Sequence, residues 1–137
     1  MAESLFPKEM LNAGTLSLDS VKAKMNYFEL QIHELHWQTK SYAEHMALGS
    51  LYDKVFDLKD EIVEKMMGYT GIRTKAMPVD PIKNYSSGLS TQVVNELLIF
   101  ARQLESYAGS NNMPDIENIA QSLSGEASKT KYLLTLS

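Results

Sequence analysis

The chain has no cysteine among its 137 residues, which excludes a disulfide framework, a thiolate metal site and a cysteine nucleophile. Proline is scarce, and none of the 4 prolines falls between Pro7 and Pro78, so long helices are free to form there. Positive charge is also short: 13 Lys and Arg stand against 17 Asp and Glu, a net charge of −4. That balance argues against binding nucleic acid by charge alone. The N-terminal arm, 1–16, carries one lysine (Lys8) against Glu3 and Glu9, so it is not a polycationic tail and DNA is not an expected partner. No apolar run approaches the length of a membrane span, and the N-terminus lacks a signal-peptide core. The expectation is one soluble cytoplasmic domain over 1–137, with no membrane partner.

Helical periodicity runs through most of the chain, and no alternating strand competes with it. The first predicted helix spans about Leu18 to Lys40, capped by Thr15 or Ser17, with Leu18, Val21, Met25, Phe28, Ile32 and Leu35 as its seam. The second covers about Ala43 to Tyr69, with the seam Leu48, Leu51, Val55, Leu58, Ile62, Met66 and Tyr69, stopped by Gly68 and Gly71. Pro78, Pro81 and Ser86-Ser87-Gly88 make residues 70–88 a long connection. A third helix, about Ser90 to Ala108, buries Val94, Leu97, Ala101, Leu104 and Ala108. Asn112 and Pro114 open a fourth, with the seam Ile116, Ile119, Leu123, Ala127, Thr130 and Leu134. The fold class is therefore all-α: a four-helix bundle of ferritin-like topology, with one long crossover between the second and third helices.

The two long helices carry more apolar surface than one core needs. Ala23, Tyr27, Leu30 and Trp37 lie roughly opposite the first seam, and Tyr52, Phe56, Val63 and Met67 flank the second, with Gly49 among them. A bundle helix buries one stripe, so a second stripe points to self-association, at least as a homodimer. The competing reading packs Trp37 and Tyr27 under the arm or the long loop. Gly49 weakens its helix unless something must approach the backbone there.

All three histidines fall between residues 33 and 45, and Asp60 and Glu64 follow one turn apart on a single side of the second helix. Imidazole and carboxylate together suit a divalent transition metal such as iron or zinc. A helical rise of about 22 Å separates His45 from Asp60, so one ion cannot join them within a helix. Antiparallel pairing of the two helices puts His36 near His45 and leaves Asp60 and Glu64 toward Asp19 and Lys22. A twofold dimer with antiparallel second helices brings one subunit's His36 and His45 onto the other's Asp60 and Glu64. Plainer roles are open for each. His33 reads as a surface histidine, His36 can bond a backbone carbonyl, and Asp60 and Glu64 can pair with Lys22, Lys24 or Lys65.

The segments Ile32-His33-Glu34-Leu35-His36-Trp37, His45, Leu51-Tyr52 and Asp60-Glu61-Ile62-Val63-Glu64-Lys65 resemble those of the Dps mini-ferritins, a branch of the ferritin-like proteins. About a quarter of the chain carries the likeness. The resemblance implies an intersubunit ferroxidase site, with His36 and His45 from one subunit and Asp60 and Glu64 from its partner. It also implies Fe as the metal, in one or two positions, with Zn as a possible substitute, and a hollow twelve-subunit shell. It gives Trp37 the role of shielding the site or quenching radicals. The chain departs from the pattern at Gly49, where a further Asp is usual, in a shorter turn between His36 and His45, and in a crossover too short for an extra helix. No Glu-x-x-His occurs, so the di-iron arrangement within one subunit is not available. The functional expectation is Fe(II) oxidation and sequestration; the alternative is a non-enzymatic oligomeric bundle that has lost metal chemistry.

Overall fold

The computed structural model describes residues 16–137. It is helical, with no strand among the described residues and four helices: α1 (Leu18–Gln38), α2 (Tyr42–Thr70), α3 (Leu89–Ser110) and α4 (Pro114–Leu134). Every seam residue expected on α1, α3 and α4 is buried. On α2, Leu48, Leu51, Val55, Ile62 and Met66 are buried too, but Leu58 is half-buried and Tyr69 is exposed. Tyr69 lies in the last turn of α2, where its hydroxyl reaches out to donate to Asp115 at the start of α4.

Local chemistry sets the ends. Ser17 caps α1 in a reciprocal capping box with Ser20; Thr15 and the arm 1–15 lie outside the described residues. The chain turns extended at Thr39, and α1 stops two residues short of Lys40 because Ser41 caps α2 by accepting from the Glu44 N–H. Gly68 continues α2, and Gly71 alone ends it, with φ of 68°, the left-handed region that favours glycine at a helix C-terminus. Pro114 is at the first turn of α4 behind Met113, while Asn112 holds a left-handed turn rather than a side-chain cap.

The helices form a ring in which α1 packs on α2 and α3, and α4 packs on the same two. The segment between Gly71 and Gly88 has no helix and runs along α1 from its N-terminal to its C-terminal end. Asp19 accepts from the Thr74 hydroxyl (2.8 Å) and the Lys75 N–H (2.9 Å), and Lys22 donates to the Lys75 carbonyl. Lys24 pairs with Asp80 at 3.3 Å. Further along, the fully buried Gln31 donates to the Lys83 carbonyl (3.0 Å) and accepts from its N–H (2.7 Å). Gln38 accepts from the Tyr85 N–H at 2.6 Å. Side chains of one helix thus supply the backbone partners that an irregular segment needs.

Where the crossover meets α3, a buried carboxylate takes over. Glu44 accepts from the hydroxyls of Tyr85 (3.0 Å) and Ser90. Its carboxylate suits the first turn of α2, where the unpaired N–H groups favour negative charge. The Tyr85 phenol is held above its usual pKa chiefly by that hydrogen bond.

Candidate metal centre at the head of α1 and α2

The turn Thr39–Ser41 is short enough to fold α2 straight back on α1, which brings His36 in the last turn of one helix against His45 in the first turn of the other. The two imidazoles stack, with centroids 3.8 Å apart and planes 16° from parallel. His36 Nδ1 lies 2.7 Å from the His45 carbonyl, and His45 Nδ1 lies 2.8 Å from the His36 carbonyl. A carbonyl only accepts, so each Nδ1 carries the proton, and in the neutral rings each Nε2 keeps a free lone pair. Metal-ligating histidines are usually oriented this way, one nitrogen fixed by a carbonyl and the other offered to the ion.

Gly49 makes that arrangement possible. A Cβ built there would stand 2.8 Å from His36 Cε1 and 3.0 Å from its Nδ1. The position that carries a carboxylate in the resembling family is, in this chain, the socket for the His36 ring.

His33 is not the plain surface residue its helical position implies. It is half-buried, sandwiched between Trp37 (centroids 3.7 Å) and Tyr52 (3.8 Å). Loss of solvent, and then the neighbouring His36, push its pKa below the usual imidazole value, against the pull of Glu29, Glu34 and Asp53. The three histidines, with Met46, Tyr52 and Asp53, line an open groove of ≈ 540 Å³ between the helices.

Asp60 and Glu64 lie far down α2 from the histidines, and both are exposed. The lysines that might have neutralised them are engaged elsewhere: Lys22 on the Lys75 carbonyl, Lys24 on Asp80 and Lys65 on Glu61. Among the described residues neither carboxylate has an ion-pair partner, and no group of three or more His, Asp or Glu lies close enough to hold a metal. Within one chain the quartet is two separate halves. The donor chemistry of the histidine half fits a divalent transition metal; the oxygen ligands would have to come from another copy.

The second apolar stripe divides. Tyr27 is half-buried against the core, and burial together with Glu96 and Asp80 pushes its phenol up to about 12. Tyr52, Val63 and Met67 pack against the core edge. Trp37 (63 % exposed), Phe56 (53 %), Met46 (53 %) and Leu30 (49 %) stay open along α1 and α2. Among them sits the ion pair of Lys59 with Glu29; Lys59 also donates to Asn26 (3.1 Å) and lies 5.7 Å from the Phe56 ring centre.

Sequence reasoning missed Glu44 and Gln31. The signal was present in both. Glu44 precedes Leu48 and Leu51 at helical spacing on the α2 seam, and Gln31 falls between Phe28 and Leu35 on that of α1. A polar residue in register with a core stripe needs a partner, and the Pro-broken crossover is the segment rich in unpaired backbone groups.

The chain belongs to a family of unknown function, DUF5856, whose profile it matches over residues 36–134, a span that includes all four candidate ligands. It is similar to a protein of Enterobacteria phage T4 described as an uncharacterized 14.6 kDa protein in the mobD-ri intergenic region, 31% identical over 111 residues, or 76% of this chain and 77% of the relative. Neither description names a metal, a reaction or the ferritins. No solved structure matches.

Proposed function

We propose that this member of the DUF5856 family is an oligomeric cytoplasmic bundle that takes up Fe(II) at a site shared between two copies and passes its electron to a dissolved oxidant. The observation that carries the reading is the pair of imidazoles fixed through Nδ1, with both Nε2 atoms left without a partner among the described residues. Nearly parallel stacked rings do not aim their in-plane lone pairs at one ion. His36 and His45 therefore serve neighbouring positions, one ion each. Asp60 and Glu64 of a second copy supply the oxygen ligands, and open positions remain for the oxidant. With glycine at 49, one of the two positions has fewer carboxylates to hold it.

Two features support the assembly this needs. Leu30, Trp37, Met46 and Phe56 give an apolar face beside the histidines, and the ligands along α1 and α2 are self-complementary, imidazole nitrogens at one end and, among the described residues, carboxylates without an ion-pair partner at the other. A crossover running the length of α1 supports the ferritin-like topology and the Dps-like comparison. A larger shell is the further extension of the same reading, and zinc would be the redox-silent occupant of the same ligands.

A second reading has its own support. Gly49 is spent on housing His36, and no single-chain cluster of metal ligands exists among the described residues. On that reading the chain is a structural or interaction protein that keeps the apolar face and no metal chemistry. Anaerobic Fe(II) titration followed by oxidant separates the two. Saturable uptake and a rise in ferric absorbance, both lost in Asp60→Ala with assembly intact, are expected. Uptake no greater than in buffer, by a protein that still assembles, selects the second reading.

A further inference from the structure

We infer that Gly49 is a positioning residue: the absence of its side chain lets the His36 imidazole lie against α2 and stack on His45, and this fixes the His36 ring with the proton on Nδ1. The inference rests on the proposed site only for its metal consequence; the lock itself is a property of the apo chain.

Three observations converge. Gly49 lies inside α2, with no positive φ to require a glycine, so it weakens the helix for no local gain. The three atoms nearest to where a Cβ would stand all belong to the His36 ring, with Cε1 at 2.8 Å and Nδ1 at 3.0 Å. That ring has little freedom to yield, because its Nδ1 is bonded to the His45 carbonyl and its face is stacked on the His45 ring. An ordinary histidine would swing its far end aside at small cost. Here the swing breaks the His36 Nδ1 hydrogen bond and the stack on His45 together, while the bond from His45 Nδ1 to the His36 backbone carbonyl does not involve the moving ring. Gly68, in the same helix, is the natural contrast: among the described residues no atom outside its own stretch of helix lies within 4 Å of its Cβ position. Among the described residues, one glycine of α2 has a neighbour that needs it and the other has none.

The test uses the full chain, labelled with nitrogen-15 on histidine, and reads imidazole tautomers from long-range proton–nitrogen spectra at a pH where the rings are neutral. Wild type and Gly68→Ala are expected to show His36 and His45 as Nδ1–H tautomers. Gly49→Ala is expected to shift His36 toward the Nε2–H form that free imidazole favours, while His45, bonded to a backbone carbonyl, keeps its Nδ1 proton. Melting temperatures give a second readout. Gly68→Ala should melt higher than wild type, as alanine in a helix interior does, and Gly49→Ala lower. In a His36→Ala background the collision is gone, so Gly49→Ala should change sign and stabilise. Should Gly49→Ala alone fail to fold, recovery of the fold in the double variant supports the role and failure there overturns it. Unchanged tautomers in Gly49→Ala, or a rise in melting temperature equal to that of Gly68→Ala, also overturn it. The spectra need no metal. Locked tautomers without Fe(II) uptake would therefore overturn the metal reading and leave Gly49's role standing, whereas uptake with tautomers indifferent to Gly49 would do the reverse.

Discussion

On one flank of α1, Gln31 and Gln38 are covered by the crossover and bonded to its backbone, while on the other Leu30 and Trp37 stand in the open beside Met46 and Phe56 of α2. This reverses the usual amphipathic arrangement, in which polar residues face water and apolar ones face protein. The polar flank has an occupant within the chain, an irregular segment whose N–H and C=O groups need partners. The apolar flank has none among the described residues, and it is the flank next to the histidine groove. A helix that spends buried glutamines on its own loop and leaves a tryptophan outside is finished on one side only.

Charging the open flank should have the largest effect. In Trp37→Glu with Phe56→Glu, assembly is expected to fall to monomers in sedimentation, while far-ultraviolet dichroism and the melting midpoint of the separated chain stay near wild type, because exposed substitutions cost little. A wild-type protein that sediments as a monomer at the same concentration would remove the contrast between the flanks.

Next in size is the sealed flank. Gln31→Ala strips the Lys83 N–H and C=O of their partners and empties a fully buried position, and a loss of about 1–3 kcal/mol is expected in urea unfolding. Gln38→Ala, nearer the exposed end, should cost less. If the two losses were equal and both negligible, the crossover would be held by something other than these glutamines.

How much of this was legible beforehand depends on range. The seams of all four helices were readable because 3.6-residue periodicity is local, and the apolar excess on α1 and α2 was readable for the same reason. The separation of His36 and His45 from Asp60 and Glu64 followed from helical rise. The fate of Tyr27 and Trp37 was not legible, since both sit on the same predicted stripe and only the path of residues 71–88 decides which is covered. The stacking of the histidines was hidden as well. It depends on a ring fitting over a glycine one helix away, a contact with no periodic signature. Gln31 and Glu44 were visible as polar residues in apolar register, but their partners lie some fifty and forty positions along a segment without periodicity.

Glu96 sharpens the comparison from the α3 side of the crossover. Burial raises its pKa above the usual value of 4.5, against the pull of Gln92, Lys83 and Lys24. For a carboxyl raised in the folded state, its stabilising share is complete below the unfolded pKa and is lost as pH rises through the folded one. Glu96→Gln keeps the oxygen that accepts from Gln92 (3.3 Å) and removes the buried charge. The variant should therefore be more stable than wild type at pH 7, with the gain fading as pH falls toward 4.5 and absent below it. The Tyr27 phenol should titrate lower in it, since Glu96 is one cause of its rise to about 12. A variant less stable than wild type at neutral pH would mean that the carboxylate is paired rather than merely buried.

Asp19 should give the smallest effect and the opposite sign. Its carboxyl is held below the usual 3.8, first by the Lys75 N–H and then by the Thr74 hydroxyl, with Lys22 and Lys75 adding to the pull. A depressed carboxyl contributes stability that is present above the unfolded pKa and lost as pH falls through the folded one. Asn at this position can still accept both hydrogen bonds through Oδ1, so Asp19→Asn removes only the charge at the first turn of α1, where the helix N-terminus favours an anion. The expected outcome is a slightly lower melting temperature at pH 7 that converges with wild type as pH falls below 3.8, measured at low salt, where exposed charges are least screened. Asp19→Ala, which also loses the acceptor, should melt lower than Asp19→Asn at every pH. If Asn and Ala behaved alike, charge at the helix end and not the hydrogen bonds would be what holds the start of the crossover.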